Sequence, residues 1–415
     1  MLDSLRSVNH YLINGIKELI NEGIEFSFNK DIVCSKNNLL FKKNQTLDIK
    51  NIDTLKYRKL FRPLESSLNI INENELKERI QNIINITYAE LIKKNENCPV
   101  LKNYKINAGH FTVLPNINIF IYLLMKKNPE RILYTAIVND YFYRNILNRN
   151  DFNGLLSGLL NDLGTLYISN DFIDLSFSKW KEYTIHPIIS KIILESIAPG
   201  NTMLGMIIMD HHERSDGLGY PRRLKQHQIS IESLILSLSD TYVALTKKAL
   251  CPINHLKTIV KIIPNEWDQK IVSFVTSLKP GCSINNINID HDQYMERMHA
   301  LFMRIALVIN EIQLLEKDLL LQKDPRAISL IRESSQRINL IQKSYSSSGI
   351  TEIINSKSGG SPDLDKEIIL ECSSILNEIE WRFTQLSRYL LLAIDNVSLD
   401  AKISFEKIIE LLGTS

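Results

Sequence analysis

His211-His212-Glu213-Arg214-Ser215-Asp216-Gly217-Leu218-Gly219-Tyr220-Pro221 is the stretch from which this chain is best read. Its second half is a turn by chemistry: Asp216 can bond nearby backbone amides, Gly217 and Gly219 admit positive φ, and Pro221 fixes the exit. Its first half is a pair of imidazoles, which ligate metals when neutral. Adjacent helical residues point about 100° apart. His211 and His212 therefore serve one ion together only near a helix end, or else divide between a metal and a supporting contact.

Outward from this block, acidic residues and one more histidine recur at similar intervals. The gaps are 24 residues from Asp162 to His186, 25 from His186 to His211 and 28 from His212 to Asp240. Each gap is about one helix plus a loop, so successive helices of a bundle can each point one ligand inward. Imidazole and carboxylate suit iron, manganese, zinc or magnesium, whereas the lack of thiolates disfavours a structural zinc site. Taken singly, each histidine reads as a hydrogen-bonded core residue; taken with the eleven-residue block, the set reads as a metal site. Seven of the 15 glycines fall between residues 154 and 219, where backbones must turn sharply or approach closely. His10, His110, His227, His255, His291 and His299 lack partners at ligand spacing.

The whole chain frames this core. It has 415 residues, enough for two to four units at roughly 100–200 residues each. With 44% hydrophobic and 23% charged residues and a net charge of +2, it is neither disordered throughout nor a strongly basic nucleic-acid binder, and no DNA partner is expected. Five cysteines without C-x-x-C spacing read as reduced thiols. The first residues lack a basic region followed by an apolar run. The most apolar stretches, Ile117–Met125 and Tyr389–Ile394, fall short of the roughly 20 residues that span a bilayer. A cytoplasmic protein without a membrane span is expected.

Periodicity divides the chain into three. Residues 8–23 are helical, 24–47 read as two or three short strands, and a helix over 49–60 ends before Arg62-Pro63. Residues 1–110 thus form a small accessory or sensory α+β module. Helical spacing dominates 111–283. Residues 284–415 form a C-terminal helical bundle, with one helix carrying apolar positions from 301 to 312 and another over 365–394. Between those two, Ser344–Pro362 is rich in Ser, Gly and Lys and reads as a mobile loop. The expected fold class is mainly α.

The block His211–Pro221 carries H-H-E-x-x-D-G-x-G-Y-P in full and resembles the HD-GYP family of bacterial signalling proteins, within the HD superfamily of metal-dependent phosphohydrolases. Asn161-Asp162-Leu163-Gly164-Thr165 is similar to the family's H-D-x-G-K, His186-Pro187 to its H-P, and Asp240–Thr246 to the helix with the last aspartate ligand. The resemblance spans roughly 115–283; a weaker one, from Asp31 to Pro63, links the front strands to a small domain that often precedes such modules. It implies a helical HD-type bundle that hydrolyses cyclic di-GMP with two or three metals, often iron or manganese. Carried over, Asp162 is the bridging ligand, His186, His211 and His212 hold one metal, and Asp240 helps hold its neighbour.

The chain departs from that pattern within the H-D-x-G-K motif that carries the catalytic Asp162. Asn161 replaces the first histidine and Thr165 the lysine, and no histidine occurs between His110 and His186. The second metal position keeps only Asp162 and Asp240. The family's nucleotide grip A-L-T-x-x-R-P-Y-R becomes Ala244-Leu245-Thr246-Lys247-Lys248-Ala249-Leu250-Cys251-Pro252. Lys247 and Lys248 lack arginine's bidentate fork, and with Tyr220, Pro221, Arg222, Arg223 and Lys225 they are the candidate substrate contacts.

The resulting expectation is a signalling protein that binds cyclic di-GMP or a related nucleotide around one divalent ion, iron or manganese before zinc or magnesium, and hydrolyses it weakly or not at all. One alternative is a metal-poor, non-catalytic interaction scaffold whose C-terminal helices dimerise or bind another signalling protein. The other is a full phosphodiesterase with substitute ligands such as Asn139 or Asp140.

Overall fold

The computed structural model describes residues 9–112, 115–168, 177–264, 266–279, 291–322, 324–347 and 366–413. The chain forms two compact units, Met1–Val243 and Ala244–Ser415.

The first unit opens with α1 (His10–Asn21), whose N-terminus is capped by the Asn9 side chain accepting from Tyr11 N at 2.9 Å. Five short strands follow in two sheets: β1 (Phe26–Phe28), β2 (Ile32–Val33), β3 (Leu39–Phe41), β4 (Thr46–Leu47) and β5 (Leu68–Ile70). β1 is central in an antiparallel sheet of order β4-β1-β5, and β2 pairs with β3. Four strands stand in 24–47, where two or three are expected, and β5 lies beyond that stretch. Between β4 and β5, α2 covers only Ile49–Leu55. It stops short of residue 60 because Leu60 forms a β-bridge with Cys34.

Then come α3 (Glu73–Lys94), α4 (Pro99–Asn103), α5 (Pro115–Lys127), α6 (Pro129–Leu147) and α7 (Asn153–Leu160). α6 starts where Asn128 accepts from Arg131 N and Pro129 takes the first turn, and it ends at Asn148 in the left-handed region. It is buried along most of its length, packed against α7 and α3. A 3₁₀ turn (Leu163–Tyr167) leads on to α8 (Phe177–Tyr183), α9 (His186–Ile197), α10 (Thr202–Met209) and α11 (Ile231–Leu245). Residues before 110 are tied to this helical core: Asn9 donates to the Tyr167 carbonyl at 3.0 Å, and Tyr167 Oη donates to the buried Glu65 at 2.7 Å.

The second unit holds α12 (Pro252–Lys261), α13 (Gln269–Ser277), α14 (His291–Gln322), α15 (Pro325–Ser347), α16 (Lys366–Ala393) and α17 (Leu399–Gly413). The two C-terminal helices predicted from the apolar pattern are α14 and α16. Of the predicted loop Ser344–Pro362, the first four residues close α15 and the remainder lies outside the described residues, as do Pro280–Cys282. α14 buries Met298, Leu301, Ile305, Val308, Ile312 and Leu315, a stripe at helical spacing. Its segment Gln293–Asp318, 26 residues with mean hydropathy 1.4, is long and apolar enough to cross a membrane by length and composition. The shorter runs named from the sequence were therefore not the longest apolar stretch. Cys251 is disulfide-bonded, against the expectation of reduced thiols throughout, whereas Cys34, Cys98 and Cys372 are free.

The core of this unit contains ions. Arg382, 3% exposed, donates through both terminal nitrogens to Glu266 at 3.2 and 2.6 Å and lies 2.9 Å from Glu378. Removing one member of such a buried set leaves uncompensated charge. Arg382→Ala should cost about 3–5 kcal/mol by urea unfolding; the same truncation combined with Glu266→Gln and Glu378→Gln should cost less.

Candidate metal centre

Three loops deliver the site. Asp162 sits between α7 and the 3₁₀ turn, His186 is the first residue of α9, and His211-His212 follow the last turn of α10. The histidine pair thus lies at a helix end, the one place where neighbours can face one ion. One ring nitrogen from each of His186, His211 and His212 lies within 4.8 Å of the others.

Gly164 makes this convergence possible. A Cβ built there would stand 2.0 Å from the His186 carbonyl oxygen, so only glycine lets the Asp162 turn press against the start of α9. Gly164 N also donates to Ser190 Oγ at 2.7 Å, and that hydroxyl donates to the His186 carbonyl at 2.9 Å. The turn after the histidines is equally constrained. Asp216 Oδ1 accepts from Leu218 N at 2.9 Å, Gly217 has φ +75°, and a Cβ on Gly219 would meet Arg214 N at 2.4 Å. Glu213, buried, accepts from the backbone of Arg222 and Leu224 and so shapes the loop from within. The Tyr220-Pro221 peptide is cis.

The ring orientations bear on metal binding. His186 Nδ1 donates to the Tyr183 carbonyl at 2.8 Å and His211 Nδ1 to that of Ile208 at 2.6 Å. These bonds leave each Nε2 as a lone pair. Nε2 of His186, His211 and His212, together with Asp162 Oδ1, are buried without a hydrogen-bond partner, as are both amide atoms of Asn161. Burial lowers the pKa of His186 to about 3, and it lowers those of His211 and His212 as well, keeping the imidazoles neutral. Four orphaned polar atoms in one buried place are costly unless something satisfies them. The residues fit a divalent ion.

Asp162 and Asp240 meet a cation that the sequence reading missed. Arg131, in the first turn of α6, places Nε 3.2 Å from Asp162 Oδ2 and Nη2 2.7 Å from Asp240 Oδ1. Burial opposes ionisation of Asp162, but Arg131 and then the histidines hold its carboxyl below the usual range. The only hint in the sequence was a charged residue opening an otherwise buried run, Ile132–Val138. The proposed substitutes are engaged elsewhere. Asn139 donates to Gly154 O and Ser157 Oγ and accepts from Ser239 Oγ, while Asp140 accepts from Tyr104 Oη. Thr165 is buried, and its carbonyl accepts from Lys127 Nζ at 3.0 Å.

Among the candidate substrate contacts, Tyr220 lies beside His212, tilted by 33° with ring centroids 4.6 Å apart. Arg222 is committed to Asp210, donating from Nε at 3.1 Å and from Nη2 at 2.7 Å to Oδ1. Arg223 and Lys225 are exposed on the same loop. Lys247 and Lys248 are exposed and belong to the second unit.

Gly164→Ala should lower stability by about 1–3 kcal/mol, the usual cost of overpacking, and weaken metal binding, as read by thermal unfolding and metal titration. Gly205→Ala, whose Cβ would meet only the flexible side chains of Lys191 and Glu195, serves as control. His186 also sets a pH dependence. Between its folded value of about 3 and the ordinary 6.5, the unfolded chain binds more protons than the folded one. With chelator present, stability should be full above pH 6.5 and fall as pH drops toward 3, by on the order of 2 kcal/mol at pH 5. Urea midpoints check this, and His186→Gln should make the slope shallower, leaving the part that the buried His211 and His212 contribute.

The profile of the HD domain family matches residues 28–270. The 3′3′-cGAMP-specific phosphodiesterase 3 of Vibrio cholerae is 27% identical over 155 residues, 35% of this chain and 31% of that protein. The 3′3′-cGAMP-specific phosphodiesterase 1 of the same organism is 31% identical over 96 residues, 22% of each chain. The cyclic di-GMP phosphodiesterase of Thermotoga maritima is 38% identical over 58 residues, 14% of this chain and 16% of that protein. The matches thus span about a third or less of these relatives. No solved structure gives a significant match. With a profile covering more than half its length and three inward histidines beside Asp162, the chain belongs to the HD domain family, as an HD-GYP-like member of the metal-dependent phosphohydrolases.

Proposed function

We propose that this protein binds cyclic di-GMP or a related cyclic dinucleotide at one divalent ion held by His186, His211 and His212, and hydrolyses it slowly or not at all. The observation that carries this reading is the division of the site: three imidazole nitrogens stand buried without partners, while Asp162 and Asp240 are already paired with Arg131. The names of the relatives support a cyclic dinucleotide as ligand. An ion on the three histidines supplies Lewis-acid stabilisation to a phosphodiester oxygen.

The chain's own groups do the rest. Tyr183 and Tyr220 lie beside the histidine rings, at centroid distances of 4.4 Å from His186 and 4.6 Å from His212, and wall the site with aromatic surface on which a base can stack. Arg223 and Lys225 give the loop cations for phosphate oxygens. Asn161 offers an amide where the family has an imidazole, which limits the charge stabilisation available to a leaving oxygen.

Calorimetry with cyclic di-GMP and 3′3′-cGAMP in manganese(II) should show binding that His211→Ala abolishes. Linear product, followed by chromatography, should form about 10²–10³-fold more slowly than with the Thermotoga maritima relative, the scale of losing one charge-stabilising group. Turnover equal to that relative's would overturn the weak-hydrolysis reading, and absence of binding would overturn the ligand.

A further inference from the structure

We infer that Arg131 is the second cation of this site: its guanidinium, bridging Asp162 and Asp240, stands in for a second metal and holds the centre to one divalent ion. The inference rests on the reading that the three histidines bind that ion, and it adds what sets the stoichiometry.

Two carboxylates from separate elements, beside three neutral imidazoles, would ordinarily attract cations to both sides of the cluster. Here one side is filled covalently by the chain. Arg131 reaches Asp162 through Nε at 3.2 Å and Asp240 through Nη2 at 2.7 Å, so its planar fork spans the gap between them. Guanidinium does not lose its proton in proteins, and this charge cannot be titrated away to admit a metal. A dication brought to the same two carboxylates would have to displace Arg131 and would be repelled by it. Asp162 Oδ1 is left unpartnered and 3.5 Å from His186 Nε2. That oxygen faces the histidine side. The two halves of Asp162 therefore serve different cations, Oδ2 the arginine and Oδ1 the ion on the histidines.

Arg131 is a positioning residue in this scheme. It fixes the rotamer of Asp162 and supplies positive charge without supplying open coordination positions.

The test is metal content of the full chain after loading with manganese(II) and gel filtration, together with the electron spin resonance spectrum of the bound ion. Wild type and Arg131→Lys should hold one equivalent with the spectrum of an isolated ion. Arg131→His, shown folded by circular dichroism, should take up a second equivalent and give a spin-coupled spectrum, because it adds an imidazole and frees both carboxylates. Two coupled ions in wild type would overturn the role of Arg131, as would a folded Arg131→His that stays at one. No metal in wild type would overturn the histidine centre itself. His211→Ala separates the two failures: it should empty the site if the centre is as described.

Discussion

One guanidinium holds together the elements on which the candidate site is built. Arg131 leaves the first turn of α6 and reaches the end of α7 through Asp162 and the middle of α11 through Asp240. Asp162 is 9% exposed at its side chain and Asp240 is 13%. Two carboxylates so placed would repel one another and be poorly solvated; with the arginine between them they become a triad. Breaking a buried pair by removing one partner typically costs about 3–5 kcal/mol. The position of Asp162, and with it one wall of the histidine cluster, depends on that contact. The neighbouring Asn139 adds a neutral tie among the same elements, joining α6 to Gly154 and Ser157 of α7 and to Ser239 of α11.

The histidine side is held differently, by backbone. His186 and His211 each spend one nitrogen on a carbonyl three residues earlier. That interaction comes from the last turn of α8 in one case and of α10 in the other, so the ring orientations follow from where the helices end. Gly164 closes the arrangement by letting the Asp162 turn lie directly on the His186 carbonyl. Glu213, next in sequence to His212, turns inward and takes two backbone amides of the loop that follows. The eleven-residue block is therefore compact for a structural reason: its own carboxylates satisfy backbone amides within it and in the three residues that follow.

That compactness explains what was legible. His211 to Pro221 could be read because its imidazoles, its turn residues and its buried carboxylate sit in consecutive positions. The helical stripes could be read because periodicity is local, and α14 and α16 appear where the apolar spacing placed them. Arg131 could not, since its two partners are 31 and 109 residues away and a single arginine makes no pattern. Arg222 misled in the opposite direction. In a loop it looks like a free cation for phosphate, but Asp210, twelve residues earlier, holds it. β5 escaped because it stands apart from the other strands, after α2, and its pairing with Phe26–Phe28 joins residues about 40 positions apart.

The charge balance of the site follows from these contacts. The imidazoles of His186, His211 and His212 are kept neutral by burial and contribute no charge. Asp162, Asp240 and Arg131 together leave one net negative charge. A single divalent ion would reverse that sign and leave one net positive charge toward the proposed ligand. A phosphodiester carries one negative charge, so one ion is enough to make the site attractive to it. The overall charge of +2 on 415 residues supplies no comparable pull. For the proposed phosphodiester ligand, attraction would depend on metal occupancy, and the arginine would make one ion sufficient to provide it.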